Sequence, residues 1–141
     1  MNRILFKEFQ KRDLNFKPLE SLSTDFEDWT DDFKQAVEDS QLAVTGVYGN
    51  KVVGCGGVHP IDDFHGELWL RLDAWCLDHR VEVVRWVKAG LEIIEETFPF
   101  KQLNAAVKEG YCDSEKLLRF LGFEDVEIKQ GFTIFAKSRE L

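Results

Sequence analysis

The chain has 141 residues, of which 44% are hydrophobic and 13% aromatic, and its formal net charge is −8. That composition supports one domain with a core of its own. It also argues against a nucleic-acid partner, because an acidic surface repels phosphates and the densest basic run, "KEFQKR" (7–12), is too short to offset it.

No apolar run approaches the roughly 20 residues that span a bilayer, so no membrane association is expected. The opening "MNRILFKEFQKRDL" lacks the apolar core of a signal sequence. Cys55, Cys76 and Cys112 are odd in number and far apart. This pattern fits a reducing cytoplasm rather than a disulfide framework. None of the three has zinc spacing, and Cys76 with His79 is too little for a metal site.

In chain order, "RILFKEF" (3–9) alternates as a strand, and Pro18 interrupts the irregular "NFKPLESLS" segment. Thr24, with Glu27 three residues on, predicts a capped helix over 24–40. Its apolar stripe would be Phe26, Trp29, Phe33, Ala36 and Val37, and its remaining surface is strongly acidic. Residues 41–61 read as a hairpin about Gly49-Asn50. "GELWLRLDA" (66–74) alternates cleanly, with Leu68, Leu70, Leu72 and Ala74 on one face and Glu67, Trp69, Arg71 and Asp73 on the other.

Residues 80–98 read as a helix buried along Val81, Val84, Val87, Leu91, Ile94 and Phe98, and Pro99 stops it. A strand over 101–109 precedes a last helix. Asp113 or Ser114 would cap that helix, Leu117, Leu118 and Leu121 would face inward, and Gly122-Phe123 would end it. One or two strands over 127–138 close the chain. The order predicts an α/β domain with a mixed sheet and helices on its faces. Nothing marks a domain boundary, so 1–141 is read as one unit. "GCGG" (54–57) lies within a strand and lacks a phosphate-loop pattern, so a bulge or close backbone approach is expected.

This order, with "VTGVYGNKVVGCGG", "GELWLRLDA" and "NAAVKEGYCDSEKLLRFLGFEDV", resembles the GNAT superfamily of acyl-CoA-dependent N-acyltransferases. The strand–helix–Leu-Gly-Phe unit at 103–123 is its most specific part. The compact length and the "ELWL…HR" join are also similar to small GNAT-like proteins of tailed phages, some of them virion-associated.

The resemblance implies a mostly antiparallel sheet in which the strand at 66–74 splays from the one at 101–109. Acetyl-CoA would lie in the gap, its pantetheine arm held by backbone groups of Leu70, Arg71, Leu72 and Asp73. The pyrophosphate would sit at the start of the helix at 80–98, in a loop patterned Q/R-x-x-G-x-G/A. Here that loop is "RVEVVR": the leading Arg80 is kept, while Val83 and Arg85 replace small residues. Asp78 and Glu82 add negative charge there, which His79, Arg80 and Arg85 offset in part. Equally, Asp78 caps the helix and Arg80 is simply solvated.

The resemblance also asks for a tyrosine acid four residues before the glycine of Gly-Phe, where this chain has Leu118. Tyr111 is the nearest phenol, either as a substitute acid or as packing. Attack by an amine requires a base in the cleft; Glu67 is the first choice and His59 the second, though an exposed strand-face charge is often merely solvated. The acceptor would be a polyamine-like molecule or a protein amine. A second expectation is a non-enzymatic scaffold for a basic protein partner, in a phage particle or against a host defence. The sequence does not set the oligomeric state.

Overall fold

The computed structural model describes residues 3–16, 29–98 and 100–138. Among these residues seven strands form one sheet: β1 (Leu5–Glu8), β2 (Ala43–Tyr48), β3 (Lys51–Pro60), β4 (His65–Leu72), β5 (Gln102–Lys108), β6 (Glu124–Lys129) and β7 (Phe132–Ser138). Their spatial order is β1-β2-β3-β4-β5-β7-β6, and every neighbouring pair is antiparallel except β4 with β5. Among the described residues three α-helices accompany the sheet: α1 (Asp31–Ser40), α2 (Arg80–Thr97) and α3 (Cys112–Phe120). The expected α/β class, with a mixed and mostly antiparallel sheet, is the fold observed. No helix among the described residues is long and apolar enough to cross a membrane.

The alternation of β4 divides the molecule into two cores. Leu68, Leu70 and Leu72 join Leu103, Ala105 and Val107 of β5 and Phe135 of β7 beneath α2 and α3. On the opposite face Trp69 is buried with Phe9, Leu14, Val37, Ala43 and Cys55, and Trp29 and Phe33 pack against them. A short 3-10 helix (Lys11–Leu14) is tied into this second core by Asp13. Its carboxylate accepts from Lys7 Nζ at 3.0 Å, Gln10 N at 2.9 Å and Thr45 Oγ1 at 2.9 Å.

The inward stripe of α2 differs from the expected one. Val83, Trp86, Val87, Gly90, Leu91 and Ile94 are buried, Val84 and Phe98 are only half-buried, and Val81 is 64% exposed. The indole of Trp86 decides this rotation. It stacks on Phe6 at 5.7 Å and lies against the register pair Gly46–Gly54, where a Cβ on Gly46 would come within 2.5 Å of the ring. The "GCGG" run is a place of close backbone approach within the sheet, since a Cβ on Gly57 would come within 2.4 Å of the Leu42 carbonyl oxygen. It adjoins an irregularity, since Gly46 opposes Gly54 while Val47 opposes Val52.

Other boundaries also moved. Helix α1 starts at Asp31, with Thr30 Oγ1 accepting from Phe33 N at 3.1 Å, so Trp29 precedes the helix. The expected cap at Thr24 with Glu27, and Phe26 of the stripe, lie outside the described residues, while Ala36 is exposed. Strand β4 ends at Leu72, because Asp73 caps a second 3-10 helix (Ala74–Asp78) by accepting from Trp75 N at 2.9 Å. Neither Asp113 nor Ser114 caps α3: the cap position is Tyr111, and both residues lie in the first turn. The end of α3 is as expected. Gly122 has φ +96°, Phe123 N donates to Leu118 O at 2.9 Å and Gly122 N to Arg119 O at 3.1 Å, the paired bonds of a Schellman ending.

Substituting Gly46→Ala forces the new methyl into the Trp86 indole. The expected result is a loss of about 1–3 kcal/mol, read in urea unfolding as a lower midpoint at unchanged slope.

Candidate active site

The site is organised by where β4 and β5 stop pairing. Their parallel register runs His65–Gln102, Gly66–Leu103 and Glu67–Asn104 and then ends, although β4 continues to Leu72 and β5 to Lys108. A wedge opens beyond Glu67. His59 of β3 is the direct register partner of Glu67, so the carboxylate and the imidazole are cross-strand neighbours on one face.

These two residues line a cavity of about 60 Å³ with Trp29, Phe33, Leu68, Trp69 and Ala106. Trp29 meets Phe33 edge-on at 4.7 Å and Trp69 at 5.0 Å, and the Phe33 ring lies 4.9 Å from that of His59. Among the described residues no cation pairs with Glu67. The arrangement can take up a proton from a group held between aromatic walls. Tyr111 is not among the lining residues. It is half-buried against the core beneath α2 and α3, and Leu118 is 2% exposed within that same core.

The residues expected to hold a cofactor fall into two groups. Leu70, Arg71, Leu72 and Asp73 follow one another along the part of β4 that has left β5, and just past its end. Leu70 and Leu72 send their side chains into the main core, whereas Arg71 donates from Nη2 to the Phe16 carbonyl at 3.1 Å. The Asp73 carboxylate pairs with Lys51 at 3.2 Å besides capping the 3-10 helix, so it does not join Glu67 in the cavity.

The second group surrounds the start of α2. His79 takes the cap position but makes no side-chain cap bond, so its imidazole leaves the first-turn amides of the helix without a side-chain acceptor. The ring stacks on Trp75 at 3.7 Å and 3°, and its Nδ1–H donates to the Trp75 carbonyl at 2.9 Å. That bond leaves Nε2 as the free ring nitrogen. Arg80 forms a two-pronged pair with Asp113 of α3, at 3.0 and 3.2 Å. Asp113 thus has a cross-helix role that its place in the sequence does not signal.

Val83, at a position where the loop pattern asks for glycine, is 1% exposed and points into the core. Arg85 is exposed. Asp78 ends the second 3-10 helix and does not cap α2. Arg80, Val81, Val84 and Arg85 border an open groove of about 310 Å³ with Phe120, which is 59% exposed. Phe120 had a sequence signal, as an aromatic outside the Leu117, Leu118 and Leu121 stripe.

No family sequence model matches the chain, and no curated relative matches it. Solved structures do. The chain is similar to a GNAT-family acetyltransferase of Streptococcus pneumoniae, with 14% identity, TM-score 0.70 and coverage of 97% of this chain and 100% of that one. An acetyltransferase of Streptococcus agalactiae gives 15% identity and TM-score 0.73 over 96% and 98% of the two chains. The PaiA N-acetyltransferase of Thermoplasma acidophilum, solved in complex with coenzyme A, gives 12% identity and TM-score 0.65 over 96% and 99%. The fold is that of the GNAT acetyltransferases.

No thiol lines this cavity. Burial pushes the Cys55 and Cys76 thiols up to about 12, and only Cys112 is exposed. No group of three or more metal-ligating side chains is gathered among the described residues. A thiol reagent at pH 8 should therefore label one cysteine rapidly in the native protein and all three after unfolding. Rapid native labelling of Cys55 or Cys76 would contradict the packing described.

Proposed function

We propose that the chain is an acyl-CoA-dependent N-acyltransferase that moves an acetyl group from acetyl-CoA to an amine. The observation that carries this reading is a coincidence of position. The last register pair between β4 and β5 is Glu67–Asn104, and Glu67 is also paired across the sheet with His59. A potential base therefore stands at the apex of the wedge, with an uncapped helix start beyond its open end.

The residues present fit the donor. Backbone groups from Leu70 to Asp73 would follow the pantetheine arm, and the first-turn amides of α2 would meet the pyrophosphate. With Val83 turned into the core, its side chain does not obstruct that approach. Arg80 and Arg85 would supply positive charge and donors, the Nε2 of a neutral His79 would be an acceptor because Nδ1–H is committed to the Trp75 carbonyl, and the ring of Phe120 offers an apolar face beside the groove. When bound, acetyl-CoA supplies an acyl group already activated as a thioester.

The chain's own residues do the remainder. The aromatic walls seat the amine, Glu67 takes its proton, and His59 either relays that proton or serves as the base itself. Attack by the neutral amine would form the C–N bond as the thioester C–S bond breaks, with the departing thiolate taking its proton from solvent, and the rigid pair of strands would provide the alignment. Leu118 offers no acid, and Tyr111 is given none of the chemistry. Acceptance by a basic protein rather than a small amine would use the acidic exposed side of α1.

Coenzyme A at 100 times its dissociation constant is expected to stabilise the native protein by about 2.7 kcal/mol, read as a saturable rise in melting temperature. Glu67→Gln should lower kcat by about 10²–10⁴-fold, with His59→Ala giving a drop of similar or smaller size. Tyr111→Phe should leave kcat within about twofold if the phenol is packing, and a drop of about 10²-fold would restore it as the acid. No thermal shift at millimolar coenzyme A would favour a scaffold for a basic protein.

The Arg80–Asp113 pair makes a separate prediction. Asp113→Asn frees the guanidinium and removes a nearby negative charge, so coenzyme A should bind several-fold more tightly at low salt, by about 0.3–1 kcal/mol. Arg80→Ala should weaken binding, and both effects should shrink at high salt.

A further inference from the structure

Past the start of α2 the surface continues as the open groove of about 310 Å³ lined by Arg80, Val81, Val84, Arg85 and Phe120. We infer that this groove seats the nucleotide end of the coenzyme, takes its base by the flat face, and uses Arg85 and Lys88 to select the form phosphorylated on the ribose 3′ position. The inference rests on the acyltransferase reading for placing a diphosphate at the start of α2. It goes beyond that reading in setting which coenzymes are accepted.

Three observations carry it. The first is the chemistry of the floor. Val81 is 64% exposed and Phe120 59% exposed, and both line the same groove where α2 and α3 meet. A phenyl ring open to solvent is a stacking platform, and stacking asks only for a π-face in return. Val81, Val84 and Phe120 carry no side-chain donor or acceptor, so these residues do not read the edge of a base.

The second observation is charge. The Lys88 ammonium stands 5.8 Å from the centre of the Phe120 ring, and Arg85 is exposed on the groove wall. A guanidinium offers paired donors to a phosphate and an ammonium adds a point charge. Arg80 is held by Asp113 at 3.0 Å. Glu82 in the first turn and Glu92 one turn beyond Lys88 bound the basic stretch, so its field is local to the ring.

The third observation is continuity. Arg80 is the first residue of α2, and Arg85 and Lys88 follow it by about 7.5 and 12 Å along the axis. When a diphosphate meets the helix start, the ribose and base are the next groups outward, and this groove is the next surface. A segment of acidic protein would be drawn by the same cations, but continuity with the helix start favours the nucleotide.

Calorimetric titration of the full chain at low salt with coenzyme A, 3′-dephospho-coenzyme A and 1,N6-etheno-coenzyme A tests this. Coenzyme A should bind at least about tenfold more tightly than its 3′-dephospho form, and the ratio should fall at high salt. The etheno form, whose base edge is blocked, should bind within about threefold of coenzyme A. Arg85→Gln and Lys88→Gln should each cut the ratio at least about threefold. Lys116→Gln, at an exposed cation of α3 outside the groove, should leave it unchanged. Phe120→Ala should weaken all three coenzymes about tenfold, and Phe120→Tyr should keep their affinity.

Equal affinity for coenzyme A and its 3′-dephospho form, or a Phe120→Ala variant that binds both as before, overturns the inference. Polyglutamate that binds as tightly as coenzyme A also overturns it and assigns the groove to an acidic protein. Acetyl transfer as fast from acetyl-3′-dephospho-CoA as from acetyl-CoA, both at limiting concentration, would sustain the acyltransferase reading and end this inference. The expected ratio without acetyl transfer to any amine would support the nucleotide seat and remove that reading.

Discussion

The structure depends on three parallel register pairs between β4 and β5 and on their abrupt end at Glu67–Asn104. Parallel pairing is slightly weaker per residue than antiparallel pairing, and a short stretch of it is easily interrupted. Here the interruption is held open from one side. Leu68, Leu70 and Leu72 on one strand and Ala105 and Val107 on the other are each fully committed to the core beneath α2 and α3. Closing the wedge would pull those side chains out of a packed interior, where even small volume changes cost free energy. Antiparallel pairing of β3 with β4 and of β5 with β7 holds each arm as part of a larger unit.

The wedge also separates two electrostatic environments. At the helix end, Arg80, paired with Asp113, and exposed Arg85 stand beside the positive dipole end of α2, with Glu82 in the same first turn. At the apex, Glu67 stands among aromatic rings near the acidic first turn of α1. On the proposed reading an anionic diphosphate would meet the helix end and a cationic amine the apex, despite a net charge of −8 for the whole chain. Net charge bears on long-range attraction, but it says little about a local arrangement of this kind.

Much of the architecture was legible because period and punctuation agree. The alternation of "GELWLRL" gave β4 and its two faces, and Gly122-Phe123 gave the end of α3 to the residue. The α2 stripe was misread because 81-84-87-91-94-98 and 83-86-87-90-91-94 are both acceptable helical patterns. Only the glycine pair on the sheet, which makes room for Trp86, selects the second. Asp113 and Ser114 have the right chemistry for caps, yet the first turn of α3 includes both, and Asp113 serves Arg80 instead. The pairing of Glu67 with His59 depends on a hairpin register that sequence fixes poorly. Trp29 and Phe33 looked like an ordinary helix stripe, and their role as cavity walls depends on where α1 starts. Val83 is 1% exposed, a burial that its place in the loop pattern does not signal.

On the proposed reading the parted strands and the bare helix start form one continuous binding channel. Amide chemical-shift mapping of the ¹⁵N-labelled chain with coenzyme A tests it most directly. The account predicts saturable shifts confined to residues 68–73, 79–85 and the facing amides of 104–108. Shifts that cluster elsewhere, or none at millimolar coenzyme A, would contradict it.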